Sequence, residues 1–150
     1  MATVSASVDI DATPEETWDA ATDWGAQRHW VWASSMRPTS GGGRGLNATV
    51  EATTGFGPFA IKDPMEIAEW DPPHRLVLRH VGALVRGDAV YEVTRLPEGR
   101  SRLTWSETLE PPGALLAGVY FVGVPLFGLL IRVSLSRFAR WVPRRRPVTR

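Results

Sequence analysis

The sequence of 150 residues contains no cysteine and a single lysine, Lys62. Without cysteine there is no disulfide framework, no thiolate nucleophile and no sulfur-ligated metal. Histidine is scarce too: His29, His74 and His80 are the only ones, and none falls in a run with metal-ligand spacing. No metal and no cofactor is therefore expected. The start, Met1-Ala2-Thr3-Val4-Ser5, lacks a basic stretch followed by an apolar one. It does not read as a secretory signal, and a cytoplasmic protein is the expectation. No internal repeat and no low-complexity tract is visible. With a formal net charge of +1, no nucleic-acid partner is expected.

The charge that is present is placed unevenly. Arg137, Arg140, Arg144, Arg145, Arg146 and Arg150 crowd the C-terminus. One reading is a solvated helix end, where cations offset the negative pole of the helix dipole. The other is contact with an anionic membrane surface through Arg137, Arg140, Arg144, Arg145 and Arg146, which would make the protein peripheral to the membrane. A single domain over 1–150 is expected, with a flexible basic tail over 143–150.

Val4, Ala6, Val8 and Ile10 alternate with Thr3, Ser5, Ser7 and Asp9, the period of a half-buried strand. Thr13-Pro14-Glu15-Glu16 follows as a capping box, with proline at the first helical position and Glu16 placed to reach back. A short helix to about Thr22 is expected, with Trp18 and Ala21 on one side and Gly25 breaking it. A second short helix is expected over 27–32. Residues 38–45 read as a mobile loop at a cavity mouth. Their run Gly41-Gly42-Gly43-Arg44-Gly45 lacks the lysine and hydroxyl of a phosphate loop.

Strands are then expected over 46–53, 59–70, 76–81, 88–96 and 101–109, joined by Gly- and Pro-rich turns. Pro64 should mark a bulge or an edge. Short connections imply an antiparallel meander. Alternation points Leu76, Leu78, His80, Tyr91, Val93, Leu103, Trp105 and Glu107 inward, with Ala48, Val50, Met65 and Ile67 as further candidates.

Residues 111–131 carry no charge, and about 20 apolar residues are enough to cross a bilayer. Four glycines and Pro125 dilute that pattern, and from Leu130 onward it turns amphipathic, with Arg132, Ser136 and Arg140 on one side. A helix sealing a curved sheet is the expected outcome, kinked or restarted at Pro125.

The order is strand, two short helices, meander and long terminal helix. With it come Val8-Asp9-Ile10-Asp11-Ala12-Thr13-Pro14-Glu15-Glu16-Thr17-Trp18, Thr22-Asp23-Trp24, Trp30, Glu69-Trp70-Asp71-Pro72-Pro73-His74-Arg75-Leu76 and Arg100-Ser101-Arg102-Leu103-Thr104-Trp105. Together they resemble the SRPBCC superfamily, which includes START lipid-transfer domains and polyketide cyclase/dehydrase-like proteins. The resemblance covers essentially the whole chain. It implies an α+β helix-grip fold: a curved antiparallel sheet of six to seven strands around a long C-terminal helix, with two short helices after the first strand. It also implies a deep cavity for apolar molecules. No catalytic motif of the family is carried over.

The cavity lining is expected from Trp30, Trp32, Leu78, Tyr91, Trp105, Leu126, Leu130 and Phe138. Trp18 and Trp70 read as core or base packing, and His29 and His74 as surface residues. His80 and Glu107, with Tyr91 between them, are candidates to orient a ligand's polar end or to act as acid and base, since burial raises a Glu pKa and His titrates near neutrality. Three functions follow as expectations: a carrier of a hydrophobic small molecule (lipid, polyketide or similar), a polyketide cyclase or dehydratase-like enzyme, and a membrane-surface or partner-binding protein.

Overall fold

The computed structural model describes residues 2–111 and 113–145. Seven antiparallel strands form one sheet: β1 (Ala2–Ile10), β2 (Ser34–Ser40), β3 (Thr49–Thr54), β4 (Ile61–Asp71), β5 (Arg75–His80), β6 (Arg86–Leu96) and β7 (Arg100–Glu110). Their order across the sheet is β1-β7-β6-β5-β4-β3-β2, so the first strand pairs with the last and the rest is a meander. Helix α1 (Pro14–Ala21) and a short 3-10 helix (Trp24–His29) follow β1, and helix α2 (Ala114–Trp141) closes the chain. This is the helix-grip architecture.

The capping box forms as read. The Thr13 hydroxyl accepts from the Glu16 amide at 3.2 Å, and the Glu16 carboxylate accepts from the Thr13 amide at 2.8 Å. Two otherwise orphaned donors are satisfied, which fixes where α1 begins. A buried Thr17–Ser101 hydroxyl pair at 2.7 Å, with Ser101 donating to the Ala12 carbonyl at 2.9 Å, ties α1 to β7. Trp18 is buried and meets Trp70 edge-on, with ring centroids 5.2 Å apart. His29 and His74 are exposed.

Several boundaries differ from the sequence reading. The second short helix lies over Trp24–His29 rather than 27–32, and Gly25 sits inside it. Strand β2 was hidden. It is an edge strand, mostly exposed, with Pro38 inside it, so it shows little apolar alternation. Residues 41–45 do not line the cavity. Gly43, at φ +66°, packs on Trp24: an added Cβ would lie 2.5 Å from its indole nitrogen, and that nitrogen donates to the Gly43 carbonyl at 2.7 Å. Phe59 lies in the exposed β3–β4 turn rather than in a strand. Pro64 is inside β4, between β3 and β5, and the bulge falls between Ile67 and Glu69 instead. The Pro64 carbonyl accepts from Val81, just past β5, so the reciprocal bond that its missing N–H cannot make falls where the β4–β5 ladder ends, and the β3–β4 ladder is untouched.

Helix α2 is continuous through Pro125. Its second half is core: Ile131, Leu135 and Phe138 are buried against the sheet. Gly128 allows close approach to β1, since a Cβ there would lie 3.1 Å from Val4. The first half is different. Val119, Phe121, Val122 and Leu126 are exposed, as is Leu129 just past the midpoint. Among the described residues this is the one helix long and apolar enough, by length and composition, to cross a membrane.

The start of the basic tail is anchored. Arg145 pairs with Asp23 at 3.2 Å and lies over the Trp141 ring at 4.8 Å, and Arg137 donates to the His29 carbonyl at 3.3 Å. These two are engaged within the fold, whereas Arg140 and Arg144 are exposed. Arg146 and the rest of the tail lie outside the described residues.

Candidate ligand cavity

Between the concave face of the sheet and α2 lies a cavity of about 420 Å³, within the usual range for small-molecule sites. Period-two alternation on the strands supplies its floor: Leu78 on β5, Ala89 and Tyr91 on β6, and Trp105 and Leu109 on β7. Val124, Phe127 and Leu130 of α2 form the roof. Gly123 also faces the cavity, and a Cβ there would meet nothing within 4 Å.

Of the eight residues expected as lining, Trp32, Leu78, Tyr91, Trp105 and Leu130 lie in the cavity wall. Trp32 is 51% exposed at the rim. Trp30 and Phe138 do not line the cavity: both are fully buried, with ring centroids 4.6 Å apart. Trp30 also contacts Trp105 at 5.9 Å and Tyr91 at 6.2 Å, so it supports the aromatic floor from within the core. Leu126 is 64% exposed and faces away. A helix puts residues one position apart on different faces, which is why Phe127 points in where Leu126 does not.

Among the described residues three charged side chains line the cavity: Asp63, His80 and Glu107. They form a chain of contacts. His80 Nδ1 lies 2.7 Å from Asp63 Oδ2, and His80 Nε2 lies 3.1 Å from Glu107 Oε2. The indole N–H of Trp105 donates to Glu107 Oε1 at 3.0 Å. Gln27 Nε2 donates to the Tyr91 hydroxyl at 3.3 Å. Burial alone would push the His80 imidazole down, but its hydrogen bonds and the charges of Asp63 and Glu107 prevail and raise it to about 10. Burial pushes the Glu107 carboxyl up, against the pull of His80. Burial, reinforced by the Glu107 charge, pushes the Tyr91 phenol up. The result is an imidazolium clamped between two carboxyl groups beside a neutral phenol.

Asp63 and Gln27 escaped the sequence reading. Asp63 is two residues before Met65 and four before Ile67 on β4, so the alternation that pointed those two inward carries Asp63 with it. Pro64 masks that pattern. Gln27 has no periodic signal, because it lies in a short 3-10 helix. No cluster of His, Asp and Glu among the described residues is arranged to hold a metal ion.

A family model described as polyketide cyclase/dehydrase and lipid transport matches residues 1–142. No curated relative matches the chain in sequence. Among solved structures, TTHA0849 from Thermus thermophilus is similar at 19% identity and a TM-score of 0.76, over 95% of this chain and 97% of that one. XoxI from Bacillus cereus is similar at 16% identity and a TM-score of 0.71, over 96% and 97%. The di-domain ARO/CYC protein BexL, of the BE-7585A biosynthetic pathway, is similar at 10% identity and a TM-score of 0.70, over 93% of this chain and 46% of that one. At these identities the likeness establishes the fold.

Proposed function

The chain belongs to the polyketide cyclase/dehydrase and lipid transport family, and on that premise we propose that it reversibly binds a hydrophobic small molecule between the sheet and α2. The observation that carries this reading is the cavity itself, about 420 Å³ with walls mainly of aliphatic and aromatic side chains. Burial of apolar ligand surface there is worth roughly 25 cal/mol per Å² before the cost of association. The polar trio lies toward the exit of β5 and the start of β4, where it can hold a ligand's polar group. Calorimetric titration with an apolar alcohol such as decanol tests the reading: saturable binding is expected, and no heat at any soluble concentration refutes it.

A carrier is favoured over a cyclase or dehydratase by the state of His80. Both ring nitrogens are engaged by carboxyl oxygens. Acid–base work by this imidazole would first have to break one of those contacts. His80→Asn and Glu107→Gln should therefore alter binding selectivity. Loss of a measurable cyclisation with binding intact would favour the enzyme.

A second reading concerns where the ligand comes from. The outer face of α2 presents Val119, Val122, Leu126 and Leu129, followed by exposed Arg132 and Arg140, and no acidic residue follows Glu110 in the sequence. An apolar half and a basic half on one helix suit an anionic bilayer rather than a second copy of the same basic helix. Loading from such a surface predicts vesicle binding that weakens with added salt.

A further inference from the structure

Among the described residues the cavity wall holds one cationic group, and it is already spoken for. Among the described lining residues there is no arginine and no lysine; the charged groups are Asp63, His80 and Glu107. His80 is 5% exposed in its side chain, and each of its nitrogens faces a carboxyl oxygen, at 2.7 Å and 3.1 Å. An entering anion therefore finds no N–H of this imidazole to receive it. It would also lose its hydration in a largely apolar space beside two acidic side chains.

A hydrogen-bond donor meets the opposite situation. Asp63 Oδ1 has no hydrogen-bond partner among the described residues; it is buried, so a donor in the cavity reaches it when the side chain, 14% exposed, shifts toward the opening. A buried acceptor left unpaired costs free energy that a donor would restore. Glu107 adds further acceptor capacity in the same wall, its carboxyl oxygens contacting His80 and Trp105 among the described residues. The trio runs diagonally across the sheet from Glu107 on β7 through His80 on β5 to Asp63 on β4, with lining residues on both sides of it along the strands, Ile61 and Leu109 on one and Met65 and Trp105 on the other. The chemistry describes a polar band across a largely apolar cavity wall, a place for the head group of an otherwise apolar ligand.

Resting on the carrier reading above, we propose that the cavity selects amphiphiles whose polar end donates hydrogen bonds, a hydroxyl or an ammonium, and rejects those ending in a carboxylate. The tail lies against Leu78, Trp105, Phe127 and Leu130, and the head lies toward Asp63 and Glu107. The class of ligand is thus fatty alcohols, sterol-like alcohols and long-chain amines rather than free fatty acids.

The test is calorimetric titration of the full chain with decanol, decylamine and decanoate at neutral pH, each kept below its micelle-forming concentration. Decanol and decylamine should bind at least about tenfold more tightly than decanoate, the scale of a charged-group hydrogen bond gained against one refused. In Asp63→Asn the preference for decylamine over decanoate should shrink, because one negative partner is gone while the tail pocket is untouched. Equal affinity of all three probes for the unaltered protein, or tightest binding of decanoate, overturns the head-group assignment and leaves the carrier reading standing. Failure of all three to bind overturns the carrier reading and the assignment with it. The comparison of probes on the unaltered protein stands even if Asp63→Asn fails to fold.

Discussion

His80 and Glu107 are 27 residues apart in sequence, lie on strands separated by β6, and meet at 3.1 Å. The contact exists because of what β6 places between them. Gly87 is the partner of His80, and Ala89 is the partner of Glu107. Strands two apart lie about 10 Å from one another. Only small side chains on the middle strand let two long ones reach across it.

Ala89→Leu should therefore part the pair. Overpacking of this kind costs about 1–3 kcal/mol. Its specific signature is at His80, whose imidazole should titrate well below the native value of about 10. NMR titration of the His80 ring reads this directly. An unchanged titration would mean that the contact does not depend on the space Ala89 leaves.

Stability should fall with alkaline pH for the same reason. The folded chain holds the His80 proton more tightly than the unfolded chain. That contribution is complete below about 6.5 and is lost as the pH rises toward about 10. Glu107 and Tyr91 are also raised and act in the same direction. Urea unfolding followed across that interval should show a steady loss, and His80→Asn should flatten it. A slope identical in the variant would remove His80 as its source.

Two tryptophans two residues apart should behave differently. Trp30 is fully buried at the centre of the aromatic core, so Trp30→Ala should cost about 3–5 kcal/mol. Trp32 is half exposed at the cavity rim. Trp32→Ala should leave the melting temperature nearly unchanged and weaken binding of decanol several-fold. Thermal unfolding and titration of both variants separate the roles.

Gly87 should be intolerant of a side chain. Its φ is +115°, and an added Cβ would lie 1.7 Å from the Thr108 carbonyl oxygen. Gly87→Ala should destabilise by at least about 2 kcal/mol, from backbone strain and the forced shift of β7. Chemical denaturation checks this.

The sheet and its inner face were legible because burial on one side imposes period two. Leu76, Leu78, Tyr91, Val93, Leu103, Trp105 and Glu107 are all buried as that period requires. The capping box was legible because its chemistry is local. Strand β2 was not, because an edge strand facing solvent needs no apolar alternation. Leu126 was misplaced because a nearly all-apolar helix gives no contrast between its faces; only the packing of Phe127 and Leu130 against the sheet side reveals which way it turns. Asp63 was missed because its meaning is a contact with His80, 17 residues on, and contacts between strands are not written in any one of them.

The central claim is that the space beneath α2 is a ligand site, and Gly123 offers the most direct test. Its position faces the cavity and has room for a side chain. Gly123→Leu fills that space and also relieves a helix-interior glycine, worth about 0.8–1 kcal/mol. Decanol should bind the unaltered protein and fail to bind Gly123→Leu, while the variant is at least as stable. Equal binding to both proteins would contradict the account, because the ligand would then lie elsewhere.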